Sequence, residues 1–158
     1  MNRRELLTTA AAGVAAITFG RRSASAQEHY PAGVDEALFA GINRVKDPAN
    51  ETALEKAHSP VITAPEKVKA GEAFDVEVAV GKAPHPMGPD HWIEYVQLNI
   101  GNQPAGTLIM RSHGYLAPKG RFSVKLGENL KGKKISLVVQ IRCNLHGIWQ
   151  NSATVEVA

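Results

Sequence analysis

Apolar and polar positions alternate along most of the chain after residue 51. Phe74, Val76, Val78 and Val80 interleave with Asp75, Glu77 and Ala79, the period of a strand with one buried face. Gly81-Lys82-Ala83-Pro84 ends that run. Trp92, Val96, Leu98 and Ile100 mark one face of the next, and Gly101-Asn102 closes it. Thr107–Met110 is a short further candidate. Phe122, Val124 and Leu126 alternate between Gly120 and Gly127, Ile135–Ile141 is a more continuous apolar strand, and Ala153–Val157 is the last. With Pro60–Thr63 there are about seven strands separated by Gly, Pro and Asn turns, which predicts an all-β, immunoglobulin-like antiparallel β-sandwich. No pair of cysteines supports an antibody-type domain, so the likeness is one of architecture. Residues 27–50 are more polar, with a short helix expected around Val34–Ile42 before Asp47-Pro48 breaks it.

The first 26 residues have a different pattern. Arg3-Arg4 precedes Leu6-Leu7 and a small-residue apolar run from Thr8 to Phe19, and Ala24-Ser25-Ala26 supplies a cleavage signal. The run is short and rich in Ala and Gly, which disfavours a permanent membrane anchor. Paired arginines before a weakly apolar stretch resemble a twin-arginine export signal, so an exported, periplasmic protein is expected, with its mature chain starting at Gln27. An ordinary secretory signal is the plainer alternative. The expected organisation is therefore a signal at 1–26, an extension at 27–50 and one domain at 51–158.

Removing the signal changes the charge. Residues 1–26 hold four of the 18 basic and one of the 15 acidic residues, leaving 14 of each. The high isoelectric point thus belongs to the leader, and nucleic-acid binding loses its electrostatic support. Cys143, the single cysteine, cannot form an internal disulfide in an oxidising compartment. It must pack as an inert hydrophobe, pair with another chain or bind something.

The histidines bear on that choice. His58 precedes the first strand, His85 and His91 bracket a Pro-Met-Gly-Pro-Asp loop between two strands, and Cys143 and His146 share Cys143-Asn144-Leu145-His146-Gly147. All lie at strand ends or in loops, where a rigid sandwich can present converging ligands. Cys-x-x-His at a strand end can place a thiolate and an imidazole on one metal, a moderate signal taken alone, against the alternative of a packed cysteine beside a surface histidine. Together the five supply nitrogen and sulfur donors suited to iron, copper or zinc. A structural zinc site closes with four ligands. A blue-copper site commonly adds an axial methionine, and here Met87 and Met110 both precede Cys143. His29 and His113 lack this context and read as surface residues.

These segments resemble the superoxide reductases of the neelaredoxin and desulfoferrodoxin family. The likeness is carried by Lys56-Ala57-His58-Ser59-Pro60-Val61-Ile62, by Pro84-His85-Pro86 with His91, and by Cys143-Asn144-Leu145-His146-Gly147-Ile148-Trp149. It covers roughly residues 51–158, and Ala64–Gly71 looks like the family's first hairpin. The resemblance implies one iron per chain, held in square-pyramidal fashion by His58, His85, His91 and His146 with Cys143 axial. It implies one-electron reduction of superoxide to hydrogen peroxide at an open iron position. With no N-terminal four-cysteine module, electrons must come from an external donor, a small redox protein. Family members also associate as homo-oligomers. The family often places Glu-Lys directly before the first histidine, the lysine attracting superoxide and the glutamate closing the oxidised site. Here the order is Glu55-Lys56-Ala57-His58, one residue longer, so Lys56 keeps the steering role while Glu55 as a sixth ligand is placed in doubt. The competing readings are a non-enzymatic exported metal or electron carrier using the same ligands, and a plain binding sandwich with accidental histidines.

Overall fold

The structure is a computed structural model that describes residues 33–113 and 115–158. The expected signal and His29 lie outside the described residues. Seven strands of four or more residues build a sandwich. They are β2 (Pro60–Thr63), β4 (Ala73–Val80), β5 (Ile93–Ile100), β6 (Gln103–Ile109), β7 (Lys119–Lys125), β8 (Lys134–Cys143) and β9 (Gly147–Val157). Two two-residue strands, β1 (Ile42–Asn43) and β3 (Lys67–Val68), complete the set. One sheet runs β1-β9-β8-β5-β6, with β3 also on β9, and the other runs β2-β4-β7.

The seven longer strands pair antiparallel, as alternation predicts, whereas β1 and β3 both pair parallel with β9. The stretch expected as a hairpin at Ala64–Gly71 is therefore a crossover that touches the opposite sheet before β4 returns to pair with β2. Val76, Val78 and Val80 face Val96, Leu98, Leu137, Val139 and Ile141 across the core, all essentially inaccessible to solvent. At the start of β5 the pairing with β8 shifts register between Ile93 and Tyr95. An extra residue in one strand turns the side chains before it to the other face. Ile93 thus takes the fully buried position expected for Trp92, which is only half-buried.

Two elements differ from the strand-only expectation. The helix expected around Val34–Ile42 is a single 3-10 turn at Glu36–Phe39, capped by the Asp35 side chain. Residues Ala53–His58 form an α-helix, α1, with a reciprocal cap at its start. The Thr52 hydroxyl accepts from the Glu55 N–H, and the Glu55 carboxylate accepts from the Thr52 N–H. That capping box stabilises a helix too short to persist alone.

Pro60 pairs with Val80, Ile93 with Cys143, and Cys143 with Gly147. The ends of β4 and β8 and the starts of β2, β5 and β9 therefore lie at one end of the sandwich. The Asn151 side chain crosses between the sheets to the Pro60 carbonyl at 2.9 Å.

Candidate metal centre

Every residue singled out as a ligand sits at that end. His58 is the last residue of α1, His85 and His91 lie in the loop joining β4 to β5, Cys143 ends β8, and His146 occupies the turn into β9. Two glycines let these segments approach. Gly81 has φ +75° and packs against the Ala57 carbonyl, where a Cβ could not fit. Gly147, at φ +69°, lies equally close to the Leu38 carbonyl and completes the three-residue turn.

The four imidazoles form a closed square. Ring centroids are 4.7 Å apart for His58 and His85, 4.6 Å for His85 and His91, 4.9 Å for His91 and His146, and 4.7 Å for His146 and His58. Each neighbouring pair is near-perpendicular, while His58 and His91 face one another across the diagonal at 6.2 Å. The inward atoms are closer still. His58 Nε2 lies 3.1 Å from His85 Nε2 and 3.0 Å from His146 Nδ1. Cys143 Sγ lies 3.2 Å from His91 Nε2 and 3.5 Å from His146 Nδ1. The donor atoms of His58, His85, His91 and Cys143 all fall within 4.8 Å of one another.

These separations test whether a metal ion fits. For metal–nitrogen bonds of about 2.1 Å, donors at right angles stand about 3.0 Å apart and tetrahedral donors about 3.4 Å. The observed 3.0 and 3.1 Å nitrogen pairs match the right-angled case. His146 lies outside the group whose donors are all within 4.8 Å of one another, but its Nδ1 stands beside it, 3.0 Å from His58 Nε2 and 3.5 Å from Cys143 Sγ. The three imidazoles and the thiol therefore fit a metal ion, with the His146 ring beside them.

The outer atoms fix how the rings present themselves. His58 Nδ1–H donates to the Leu54 carbonyl at 2.8 Å and His85 Nδ1–H to the Pro86 carbonyl at 2.6 Å, which leaves each Nε2 lone pair pointing inward. The Trp149 indole stacks on His58 at 5.3 Å, and its N–H donates to the His146 carbonyl at 2.9 Å. Burial, and to a smaller extent the neighbouring imidazoles, pushes His58 down to about 4 and His85 down to about 3, so both are neutral near pH 7. Burial also lowers His91 and His146. The same burial raises the Cys143 thiol, opposed by the backbone N–H groups of Leu145 and His146. Neutral rings around a thiol that resists ionisation are satisfied by a cation that draws out the thiolate.

His58, His85 and Cys143 are buried, whereas His91 and His146 are half-buried, so solvent reaches the square along that side. Lys56 is exposed. Glu55 is buried, with its two carboxylate oxygens taken by the backbone N–H groups of Thr52 and Lys46. His113 is exposed and away from the cluster. Sequence reasoning missed Asn144. Its Oδ1 accepts from the Trp92 N–H and its Nδ2 donates to the Asp90 carbonyl, both at 2.8 Å, clamping the residues either side of His91 to the cysteine turn.

Comparison with known proteins agrees with this arrangement. Residues 50–152 match the desulfoferrodoxin family. The chain belongs to that family. Among curated desulfoferrodoxin-family relatives, the superoxide reductase of Thermococcus kodakarensis is 36% identical over 106 residues, covering 63% of this chain and 87% of the relative. The superoxide reductase of Pyrococcus abyssi is 36% identical over 108 residues, with the same shares. Among solved structures, the superoxide reductase (neelaredoxin) of Ignicoccus hospitalis superposes with a TM-score of 0.62 at 34% identity. It covers 78% of this chain and 98% of its own. All five donor residues fall inside the matched family region.

Proposed function

We propose that the protein is a superoxide reductase, with one iron ion held by His58, His85, His91, His146 and Cys143. The observation that carries this reading is the square of four imidazole rings with the Cys143 thiol against it, at the solvent-reachable end of the sandwich. Iron bound there would supply one electron, and with two protons superoxide leaves as hydrogen peroxide. The chain's own residues hold the donors neutral and aimed. The Leu54 and Pro86 carbonyls set the tautomers of His58 and His85, and Trp149 covers the His58 ring. The half-buried side at His91 and His146 admits a small anion. Exposed Lys56, on the helix that ends in His58, adds positive charge, which speeds the encounter with an anion. Electrons come from an external redox partner, since Cys143 is the chain's only cysteine and is used in the site. The Arg3-Arg4 leader supports export, with folded iron-loaded protein carried across the membrane. Among the described residues no helix is long and apolar enough to span a bilayer.

Metal analysis and optical spectra of anaerobically purified, then oxidised, protein test the proposal. The expected result is about one iron per chain and a sulfur-to-iron charge-transfer band that is lost in Cys143→Ser. Peroxide should then form one for one with superoxide consumed when reductant is supplied. Half that yield would indicate dismutation. Copper or zinc, with a spectrum indifferent to Cys143→Ser, would leave a metal or electron carrier.

A further inference from the structure

Glu55 is a buried carboxylate outside the ligand set, only 5% exposed. A buried charge is retained where its oxygens are satisfied. Here Oε2 accepts from the Thr52 N–H at 2.8 Å and Oε1 from the Lys46 N–H at 3.0 Å. The first bond closes the cap of α1. The second joins α1 to the segment preceding it in sequence, residues 33–49, which lie before the region matched by the family.

That segment is a strap across the cysteine turn. The Asp35 N–H donates to the Leu145 carbonyl at 3.1 Å, and the Leu38 carbonyl packs on Gly147. β1 pairs with Ile148 and Trp149, while the Asn43 side chain donates to the Ile148 carbonyl at 2.9 Å. The strap is thus fixed to the turn that carries Cys143 and His146.

α1 controls the other side. It ends in His58, whose Nδ1–H bonds to the Leu54 carbonyl one turn earlier. The Lys56 carbonyl accepts from the N–H groups of Lys82 at 2.7 Å and Ala83 at 3.1 Å, at the root of the loop carrying His85. Two ligands therefore follow α1, two follow the strap, and the Glu55 carboxylate bonds to both bodies.

We propose that Glu55 is a positioning residue, joining strap to helix so that His58 and His85 meet Cys143 and His146 at ligand distance. This rests on the metal-centre reading above. A carboxylate suits the task because two N–H donors arrive from different segments, and it offers two acceptor oxygens. Glutamine can still serve the cap with its single oxygen but not both donors. Glu55→Gln therefore separates the cap from the joint, and Glu55→Ala removes both.

The test uses the full chain, wild type and both variants. Affinity for Fe2+ is measured anaerobically by chelator competition, the optical spectrum is recorded after oxidation, and nitrogen-15 NMR follows the His58 Nδ1–H in metal-free protein. Glu55→Ala should weaken Fe2+ binding about 10- to 100-fold, the range for residues that orient ligands. Glu55→Gln should fall between it and wild type. The charge-transfer band of oxidised protein should stay in place in both, and the His58 Nδ1–H should exchange faster without metal. Fe2+ affinities within about twofold of wild type would overturn the proposal. So would unchanged Fe2+ affinity with a shifted oxidised band, which would make Glu55 a ligand of the oxidised ion. Should Glu55→Ala fail to fold, Glu55→Gln carries the same readouts. A wild type that binds no Fe2+ would sink the metal-centre reading instead, and the metal-free NMR signal would then decide the role of Glu55 by itself.

Discussion

The side chains that matter most at the residue scale act on backbone of other segments. Asn144 does so across 52 residues, holding Trp92 N–H and Asp90 carbonyl from the turn that follows Cys143. Asn144→Ala would leave the part-buried Trp92 N–H without its partner, while the exposed Asp90 carbonyl turns to water. It should cost about 1 kcal/mol of stability, most of it from the Trp92 N–H. Because His91 lies between the two held residues, the same variant should weaken metal binding about 10- to 100-fold. Denaturant unfolding of metal-free protein and chelator competition check the two effects separately. The cluster of His58, His85, His91 and Cys143, with His146 beside it, is legible in the sequence, because histidine and cysteine gathered at strand ends are unusual in a chain with so few of either. Asn144 is not. An asparagine in a turn is common, and its role exists only once the bulge of β5 brings Asp90–Trp92 alongside the turn. The opposed environments of the rings and the thiol are equally invisible there, since burial of His58 depends on the Trp149 indole stacked on it.

Elements are legible to the extent that their burial alternates. β4 is read almost to the residue from Phe74 to Val80, since one face meets the core and the other water. β6 starts earlier than expected, at Gln103, because Pro104 and Gly106 signal a turn yet are tolerated on a sheet-edge strand. β9 runs from Gly147, although only its end from Ala153 alternates recognisably. Gln150, Asn151 and Ser152 look like loop and are held in register by β8. α1 escapes because six residues show no helical period, although Thr52-x-x-Glu55 is a readable cap. The tightest element is the β8–β9 turn. Gly147 needs a left-handed backbone and has the Leu38 carbonyl where a side chain would sit. Gly147→Ala should therefore cost about 1–3 kcal/mol from backbone strain alone. The turn must also move away from the strap, so loss of metal affinity should accompany loss of stability. Retained affinity in a destabilised variant would show that Cys143 and His146 are placed by β8 and β9 without the strap.

For the molecule as a whole, the sandwich buries His58, His85 and Cys143 and half-buries His91 and His146, and folding and metal binding are thereby linked to protons. Burial places His58 near 4 and His85 near 3 against an ordinary value of 6.5, and His91 and His146 are lowered too. Below about pH 6.5 the unfolded chain binds protons that the folded one refuses, so acid favours unfolding. Metal-free protein should lose Tm progressively from about pH 7 to about pH 5 as the unfolded imidazoles charge, and the full penalty is reached only below the folded values. The thiol behaves in the opposite sense. Cys143 is raised by burial and holds its proton at neutral pH, while a metal takes the thiolate. The imidazoles are already neutral, and those of His58 and His85 carry their proton on the outward Nδ1. Binding of Fe2+ near pH 7 should therefore release about one proton, and affinity should rise about tenfold per pH unit. Anaerobic calorimetry in buffers of different ionisation enthalpy counts that proton directly. Wild type should release about one and Cys143→Ser about none. Release of about two or more would mean that the folded rings carry protons at pH 7.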